Sequence, residues 1–310
     1  MPLDHDVARL LDALNQLDTP ALSEGTVAEA RANYFAAPKP EGDVLARVSD
    51  HRVPGPAGEV PVRVYAPSTE PGLPVVAFFH GGGWVLSSVD GHDSLARRLA
   101  ASSGALVVSV DYRLAPEHPF PAPHDDCWAV TRWLADHAEE LGGDPGRLAV
   151  AGDSAGGNLA AGVALRARDE GLPLRFQLLI YPCIDVEQTR PSMRDNADGY
   201  FLTAADMAWF WDQFVPPGHR DDPYAVPMRA GDVAGLAPAL IQTAEFDPLR
   251  DEGEAWGARL ADAGVPVTVT RYDGVVHGFV SRWIQMARAA DAHREAADRL
   301  RAAFGLPTAG

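Results

Sequence analysis

The chain has 310 residues, of which 46% are hydrophobic and 22% are charged, a composition typical of a globular protein with one large or two small domains. Its 43 acidic and 26 basic residues give a formal charge of −17, which argues against a nucleic-acid partner because phosphate binding requires clustered Lys and Arg. Apolar stretches such as residues 74–79 are far shorter than the roughly 20 residues that span a bilayer, so we expect a soluble protein without a membrane partner.

The amino-terminal part of the sequence predicts helices followed by a β-hairpin. Apolar residues recur at helical spacing in residues 7–17 and 23–35, which indicates two short amphipathic helices. The pattern changes to alternation in residues 44–53 and 60–66, which indicates strands. Because residues 54–58 between them are rich in Pro and Gly, we expect the two strands to form a hairpin that opens a sheet.

The rest of the chain alternates between short apolar runs and helical stretches. Unalternating runs bounded by Gly, Pro or Asp are typical of strands buried on both faces, and helical stretches lie between most of them. This alternation predicts an α/β fold with a mostly parallel, eight-stranded sheet and helices on both faces. The runs are residues 75–79, 106–110, 148–151, 176–181, 239–244 and 265–269, and the clearest helical stretches are residues 126–140, 155–168 and 252–263.

One long segment, residues 185–226, interrupts the alternation. Within it, Thr203 stands where a helix cap belongs and Asp206 follows three residues later, the spacing of a capping box. Four large apolar residues then share one helix face, which favours packing against the main domain. We therefore expect an inserted helical subdomain. The four residues are Met207, Phe210, Trp211 and Phe214.

A glycine-flanked serine lies between a predicted strand and a predicted helix. The sequence Gly152-Asp153-Ser154-Ala155-Gly156 has the strand–turn–helix context that a nucleophile elbow requires. Such a turn is so tight that side chains two positions either side of the nucleophile would collide, which explains the glycines. The context predicts Ser154 as a nucleophile. The alternative is a glycine-rich connection that caps a helix.

A second glycine-rich loop, His80-Gly81-Gly82-Gly83, directly follows the predicted strand at residues 75–79. Acyl transfer builds negative charge on a carbonyl oxygen, and glycines allow backbone N–H groups to approach that oxygen closely. The loop is therefore predicted to form an oxyanion hole. An anion-binding or merely flexible loop is the alternative.

A serine nucleophile needs a histidine base. His277 follows the last predicted strand and comes after Ser154, in the chain order expected for a triad whose serine lies at a nucleophile elbow. His80 belongs to the oxyanion loop, and the other histidines that we considered either precede the serine or lie in polar settings near the periphery. These competing histidines are His118, His124 and His137, which precede the serine, together with His5, His219 and His293.

The base in turn needs a carboxylate that orients it. Asp247 follows the predicted strand at residues 239–244 and lies between Ser154 and His277 in the sequence. Pro248 restricts the turn, so Asp247 leaves the strand in a defined direction. Asp247 is the predicted acid. The alternatives are Asp185, Glu245 and Asp251.

Taken together, these motifs resemble the hormone-sensitive-lipase-like family of microbial esterases, within the α/β-hydrolase fold. The resemblance runs from about residue 44 to residue 279. It implies a helical cap at residues 1–43 and 185–226, a catalytic domain at residues 44–184 and 227–310, and oxyanion donors at the backbone N–H groups of Gly82, Gly83 and Ala155. The motifs are residues 80–84, 111–122, 152–157, 247–253 and 277–279.

The expected function is that of a serine carboxylesterase that hydrolyses short- to medium-chain esters through an acyl-enzyme. No metal or cofactor is implied, and Trp84 and Leu202 are candidate substrate contacts in the pocket. An amide or formamide hydrolase with the same triad is one alternative. A non-catalytic small-molecule receptor is another, although receptors that resemble these esterases have the catalytic histidine replaced.

Two expectations concern the cell and the assembly. The cysteines, Cys127 and Cys183, are too few for a disulfide framework, and the first residues lack the charged start and apolar core of a secretory signal. Both features predict a cytoplasmic location. A homodimer through an exposed sheet edge near the last strand is a further possibility.

Overall fold

The computed structural model describes residues 2–16, 22–36, 41–282 and 286–307. Within these residues, eight strands form one sheet and nine α-helices surround it. The strands are β1 (Arg47–Gly55), β2 (Gly58–Ala66), β3 (Leu73–Phe79), β4 (Leu106–Val110), β5 (Gly143–Asp153), β6 (Gln177–Ile180), β7 (Ala239–Phe246) and β8 (Val267–Val276). The helices are α1 (His5–Asn15), α2 (Val27–Ala36), α3 (Asp93–Ser103), α4 (Ala122–His137), α5 (Ala155–Asp169), α6 (Pro191–Asp195), α7 (Ala204–Phe214), α8 (Arg250–Asp262) and α9 (Ala287–Ala303).

The sheet has the strand order β1-β2-β4-β3-β5-β6-β7-β8. Strand β2 runs antiparallel to both β1 and β4, whereas the pairs from β4 through β8 are all parallel. The predicted hairpin and the predicted eight-stranded, mostly parallel sheet are therefore confirmed. None of the helices in the described ranges has the length and apolarity needed to cross a lipid bilayer.

Each face of the sheet is covered by its own hydrophobic core. In β3, Val75, Ala77 and Phe79 face one core, which includes residues of α4, α5, α7 and α8. Val76 and Phe78 face the other core, which includes residues of α1, α3 and α9. Because successive side chains of a strand point to opposite faces, a strand between two cores must be apolar at every position. This explains the unalternating runs in the sequence.

The structure differs from the predicted elements at two places. The last strand was expected to end at residue 269, but β8 continues to Val276, with polar residues on the sheet edge that a search for apolar runs does not detect. The second amino-terminal segment is a 3-10 turn at Leu22–Glu24 followed by α2, rather than one helix over residues 23–35. Residue 17, the predicted end of the first helix, lies outside the described residues.

The parallel register brings the ends of four strands to one edge of the sheet. Phe79 pairs with Gly152 across β3 and β5, and Phe246 pairs with Val276 across β7 and β8. The residues that follow these pairs therefore emerge side by side from the carboxyl edge, where open α/β sheets place their ligand sites. They include the residues predicted as nucleophile, acid and base, together with the predicted oxyanion loop.

The inserted segment contributes α6 and α7 above this edge. Helix α7 begins with the predicted capping box: the Asp206 N–H donates to Thr203 Oγ1 at 3.0 Å, and the Thr203 N–H donates to Asp206 Oδ2 at 3.2 Å. The four apolar residues predicted to share one face of this helix are all buried. Helix α7 therefore packs its apolar face onto the main domain.

We expect the substitution Thr203→Ala to lower the free energy of unfolding by about 1 kcal/mol, because it removes the side-chain acceptor of the capping box. Thr203→Ser keeps the hydroxyl and is the matched control. Urea unfolding followed by tryptophan fluorescence measures both variants. Equal losses in the two variants would show that the cap hydrogen bond contributes nothing.

Candidate active site

Ser154 lies at the turn between β5 and α5 with backbone angles of φ 57° and ψ −119°. A non-glycine residue at positive φ is strained and persists only where its surroundings hold it. Here the Ser154 N–H donates to the Ile180 carbonyl at 2.8 Å, and the Cys183 N–H donates to the Ser154 carbonyl at 3.2 Å. The serine side chain is partly exposed, so it is presented at the carboxyl edge of the sheet.

Glycines are required around this turn because other backbone segments touch it. A Cβ atom at Gly152 would overlap the carbonyl of Gly156, and a Cβ atom at Gly156 would overlap the carbonyl of Phe79. Both obstacles are backbone atoms, which cannot move aside as a flexible side chain can. The steric role assigned to the two glycines in the sequence analysis therefore agrees with the structure.

Ser154, His277 and Asp247 form one hydrogen-bonded chain. Ser154 Oγ lies 2.9 Å from His277 Nε2, and His277 Nδ1 lies 2.7 Å from Asp247 Oδ2. An ionised carboxylate can only accept, so it holds the proton on Nδ1 and leaves Nε2 as the acceptor for the serine hydroxyl. The structure thus brings together the three residues predicted as nucleophile, acid and base, in the arrangement that activates a serine.

The loop that carries Asp247 is held from several sides. Asp247 itself is fully buried, and its Oδ1 accepts the Leu249 N–H at 2.8 Å. From the inserted segment, Asn196 Nδ2 donates to the Asp247 carbonyl at 3.1 Å, and Ser192 Oγ donates to the Pro248 carbonyl at 2.8 Å. The insertion therefore fixes the backbone on which the carboxylate stands.

The three alternatives for the acid are occupied elsewhere. Asp251 Oδ2 accepts the Ser192 N–H at 2.8 Å, Glu245 Oε2 accepts the Gly274 N–H at 2.8 Å, and Asp185 Oδ1 accepts the Glu187 N–H at 3.1 Å. Of the four carboxylates, Asp247 is the one bonded to His277.

A buried carboxyl group near the triad also organises backbone. Glu252, on α8, accepts the Ile184 N–H at 2.7 Å and the Asp185 N–H at 3.3 Å through Oε1. Burial raises the pKa of this carboxyl well above its usual value, and the negative charges of Asp185 and Asp247 raise it further. Glu252 therefore joins α8 to the point where the inserted segment begins.

The glycine-rich loop after β3 adopts the conformations that its composition allows. Gly82 has φ 116° and Gly83 has φ 60°, both in the region that favours glycine. A Cβ atom at Gly83 would overlap the ring of Phe210, and one at Gly82 would overlap the carbonyl of Leu86. Ala155, the third predicted donor, is the first residue of α5, where backbone N–H groups have no partner within the helix.

Asp153, the residue before Ser154, binds the glycine loop through its side chain. Its Oδ1 accepts the Gly81 N–H at 2.9 Å, and His92 Nε2 lies 3.2 Å from both carboxylate oxygens. Burial acts to raise the pKa of Asp153, but the charge and hydrogen bond of His92 and the Gly81 N–H outweigh it, and the net pKa is lowered. Burial, with His92 nearby, lowers the pKa of His80 to about 3, so His80 is neutral at physiological pH.

The two predicted pocket residues lie in the core instead. Trp84 has no exposed surface, and its ring stacks on Phe214 at 4.2 Å between centroids and tilts against Trp211 at 4.6 Å. Leu202 is also buried in the same core. The expectation that Trp84 lines a substrate pocket is therefore corrected: its indole attaches the glycine loop to α7, because aromatic residues on both segments exclude water there.

An aromatic residue that no sequence motif marks, Phe201, lies beside Gly278. Phe201 is 42% exposed, has φ 77°, and its ring lies within 3.5 Å of where a Cβ at Gly278 would stand. An exposed aromatic ring at a strained position beside Gly278, the residue after His277, is a better candidate for substrate contact than its buried neighbour Leu202. No motif marks Phe201, since its exposure follows from the fold of the insertion.

Two further outcomes concern the other histidines and metals. His293, expected in a polar setting at the periphery, is buried, and its Nε2 bonds to the Val280 carbonyl at 3.0 Å. Across the ranges that the structure describes, no three His, Cys, Asp or Glu side chains are grouped so as to hold a metal ion.

Comparison with known proteins identifies the family. A family model described as alpha/beta hydrolase fold matches residues 76–281 of the chain. The chain belongs to the α/β-hydrolase family. This α/β-hydrolase is 49% identical over 240 residues to esterase LipI of Mycobacterium tuberculosis, an alignment that covers 76% of the chain and 75% of LipI.

Two further relatives cover nearly the whole chain. An arylesterase of Saccharolobus solfataricus is 37% identical over 287 residues, which cover 90% of this α/β-hydrolase and 93% of the relative. The crystal structure of a thermostable esterase from Pseudomonas putida ECU1011 is 40% identical and covers 99% of both chains with a TM-score of 0.95. The resemblance to hormone-sensitive-lipase-like esterases that the motifs indicated is confirmed.

We expect Gly156→Ala to lower the stability of the fold by about 1–3 kcal/mol, since the new methyl group must displace the Phe79 backbone. Gly218→Ala is the control, because a Cβ atom at Gly218 meets nothing within 4 Å. Thermal unfolding of both variants measures the effect. A Gly156→Ala variant as stable as Gly218→Ala would contradict the steric role given to Gly156.

Proposed function

We propose that this protein is a serine carboxylesterase that hydrolyses short- to medium-chain carboxylic esters through an acyl-enzyme. The observation that carries the proposal is the hydrogen-bonded chain from Ser154 through His277 to the buried Asp247. Relatives named esterase or carboxylesterase, up to 49% identical to this chain, support the same activity.

In the first half of the reaction, Ser154 Oγ attacks the ester carbonyl carbon as its proton passes to His277 Nε2. Asp247 keeps the imidazole in the required tautomer and stabilises its cation. The protonated His277 then gives its proton to the alcohol oxygen as the C–O bond breaks. The alcohol leaves, and the acyl group remains on Ser154.

The second half of the reaction uses the same groups with water as the nucleophile. His277 Nε2 takes a proton from a water molecule, which attacks the acyl carbon. The bond to Ser154 Oγ breaks as the serine oxygen recovers its proton from His277. The acid is released and the site is regenerated.

The negative charge that builds on the carbonyl oxygen in both halves needs hydrogen-bond donors already in place. We propose that the backbone N–H groups of Gly82, Gly83 and Ala155 supply them. Removing one such donor costs about 10²–10³ in rate in hydrolases of this kind. The positive φ angles of Gly82 and Gly83, and the lack of helix partners at the start of α5, support this assignment.

We assign the substrate pocket to a helical cap formed by residues 1–43 and 185–226 over a catalytic domain of residues 44–184 and 227–310. Two contacts support this division: α7 packs against Trp84 on the glycine loop, and Phe201 lies beside Gly278. Phe201 is the pocket residue that we propose in place of Trp84. The preference for short to medium chains rests on the family resemblance.

Two properties stay predictions. The cytoplasmic location rests on the cysteine content, and Cys127 and Cys183 are both free and buried. The homodimer rests on the edge position of β8, where Val269 is 39% exposed. An analytical ultracentrifugation run would measure the second property directly.

We expect Asp247→Asn to lower kcat by about 10³–10⁴, because an amide favours the wrong tautomer of His277. Asp251→Asn is the matched control, since the amide oxygen still accepts the Ser192 N–H, and its kcat should stay within about threefold of wild type. Hydrolysis of p-nitrophenyl butyrate measures both variants. If Asp251→Asn is the more damaged of the two, the acid is assigned wrongly.

We expect a series of p-nitrophenyl esters from acetate to palmitate to show highest kcat/KM at short to medium chains, with activity lost in Ser154→Ala. The matching anilides test the alternative amide hydrolase: the ester should be cleaved far faster than the amide. A folded wild type inactive on every ester and anilide, yet able to bind small ligands, would favour the receptor instead.

A further inference from the structure

A continuous chain of hydrogen-bonding side chains runs beneath the glycine loop and is not part of the triad. Tyr34 on α2 donates its hydroxyl proton to Ser87 Oγ at 3.0 Å, and Ser87 Oγ lies 2.8 Å from His92 Nδ1. His92 Nε2 contacts Asp153, which accepts the Gly81 N–H. The chain therefore begins on an amino-terminal helix and ends at the peptide that precedes the proposed oxyanion donors.

The acceptor character of Asp153 fixes a proton on the nitrogen of His92 that faces it. Asp153 is ionised and can only accept, so His92 must carry its proton on Nε2. The other ring nitrogen, Nδ1, lies 2.8 Å from Ser87 Oγ, and the serine hydroxyl can rotate to suit that atom. Ser87 Oγ in turn accepts from Tyr34. The Gly81 N–H is left with Asp153 Oδ1 as its partner, because a protonated Nε2 cannot accept.

Two glycines allow the backbone to lie directly against these side chains. A Cβ atom at Gly81 would stand 2.7 Å from Asp153 Oδ2, and one at Gly91 would overlap Ser87 Oγ and approach the Tyr34 ring at 3.2 Å. Ser87 itself has φ 76°, a strained conformation for a serine. The hydrogen bonds on either side of Ser87 are the contacts that hold it there.

Helix α2 is also fixed to the same loop by an arginine. Arg31 donates from Nε to the Val85 carbonyl at 2.9 Å and from Nη2 to the Ala115 carbonyl at 3.0 Å. The same guanidinium forms a two-pronged pair with Glu117 at 2.7 and 2.8 Å. Tyr34 and Arg31 therefore connect one helix to two points of the loop that follows the glycines.

We propose that His92 and Asp153 are positioning residues of the oxyanion hole, which they hold to helix α2 through Ser87 and Tyr34. Asp153 sets the orientation of the Gly81 peptide, and the next two peptides carry the donors assigned to Gly82 and Gly83. The proposal rests on the proposed ester hydrolysis and adds residues that touch neither the substrate nor the triad.

The expected signature of this role is a loss of transition-state stabilisation without a loss of substrate binding. Donors that point slightly away from the oxyanion bind the ground-state carbonyl about as well as before, so kcat should fall while KM stays nearly constant. The defect should also be specific for an oxygen anion. In a thionoester the larger, weaker acceptor sulfur replaces that oxygen, so an aligned hole favours the oxoester and a misaligned hole loses this preference.

The experiment compares wild type with four variants on a p-nitrophenyl ester and on its thiono analogue. Asp153→Ala and His92→Ala remove the centre of the chain, and we expect kcat to fall about 10- to 100-fold with KM within about twofold. Asp153→Asn keeps an acceptor for the Gly81 N–H, and its amide nitrogen can donate to His92 Nε2 once the imidazole carries its proton on Nδ1, so it should restore kcat to within about fivefold of wild type. The fourth variant, Tyr34→Phe, removes one hydroxyl at the part-buried end and should cost about two- to fivefold.

Tyr224→Phe is the matched control, because its hydroxyl bonds to Asp169 on the surface at 2.9 Å and takes no part in the chain. It should keep the wild-type kcat and oxo-to-thiono ratio. In Asp153→Ala and His92→Ala this ratio should fall in parallel with kcat. Asp247→Asn damages the base instead, so it should lower kcat equally for the oxoester and the thionoester and leave the ratio unchanged.

Three results would overturn the proposal: an unchanged kcat in folded Asp153→Ala and His92→Ala, a fall in kcat with an unchanged oxo-to-thiono ratio, or no rescue by Asp153→Asn. If the alanine variants do not fold, Tyr34→Phe tests the proposal. A kcat and an oxo-to-thiono ratio identical to those of Tyr224→Phe would contradict the proposed coupling between α2 and the oxyanion hole. Failure of the proposed function itself is distinguishable, since wild type would then show no Ser154-dependent ester hydrolysis at all.

Discussion

The strained backbone of Ser154 is the constraint on which the site depends. A serine at φ 57° points its side chain off the end of β5. Hydrogen bonds restrain both of its backbone groups: the N–H donates to Ile180, and the carbonyl accepts from Asn158 and Cys183. The turn is also so tight that the neighbouring glycines lie against backbone carbonyls. Strand β5, the parallel neighbour β6 with the residues that follow it, and helix α5 must all be in place before the hydroxyl can be presented.

The parallel register brings the remaining residues of the site next to Ser154 without long connecting loops. Since Phe246 pairs with Val276, Asp247 and His277 leave adjacent strands together and meet at 2.7 Å. Strand β3 ends beside β5, so the glycine loop emerges next to the serine. Loops in this fold therefore need only to orient groups that the sheet has already brought together.

The inserted and amino-terminal segments do more than cover the edge of the sheet. Ser192 and Asn196 bind the backbone of the acid loop, and Trp84 of the glycine loop stacks on α7. Helix α2 binds Val85 and Ser87, the next residues of that loop, through Arg31 and Tyr34. Both loops that flank Ser154 are thus restrained by segments outside the sheet, which couples the geometry of the site to the packing of these helices.

The sequence by itself determined the strand alternation, the capping box at Thr203, and the choice of Ser154, Asp247 and His277 as the candidate triad, because each depends on local periodicity, turn chemistry or chain order. Only the tertiary structure decided that Trp84 is buried, that Phe201 is exposed, and that His92 meets Asp153. These outcomes depend on which distant segments come into contact. The sequence around a tryptophan or a histidine does not indicate which distant residues its side chain will meet. The extension of β8 to Val276 has the same cause, since an edge strand does not need an unbroken apolar run.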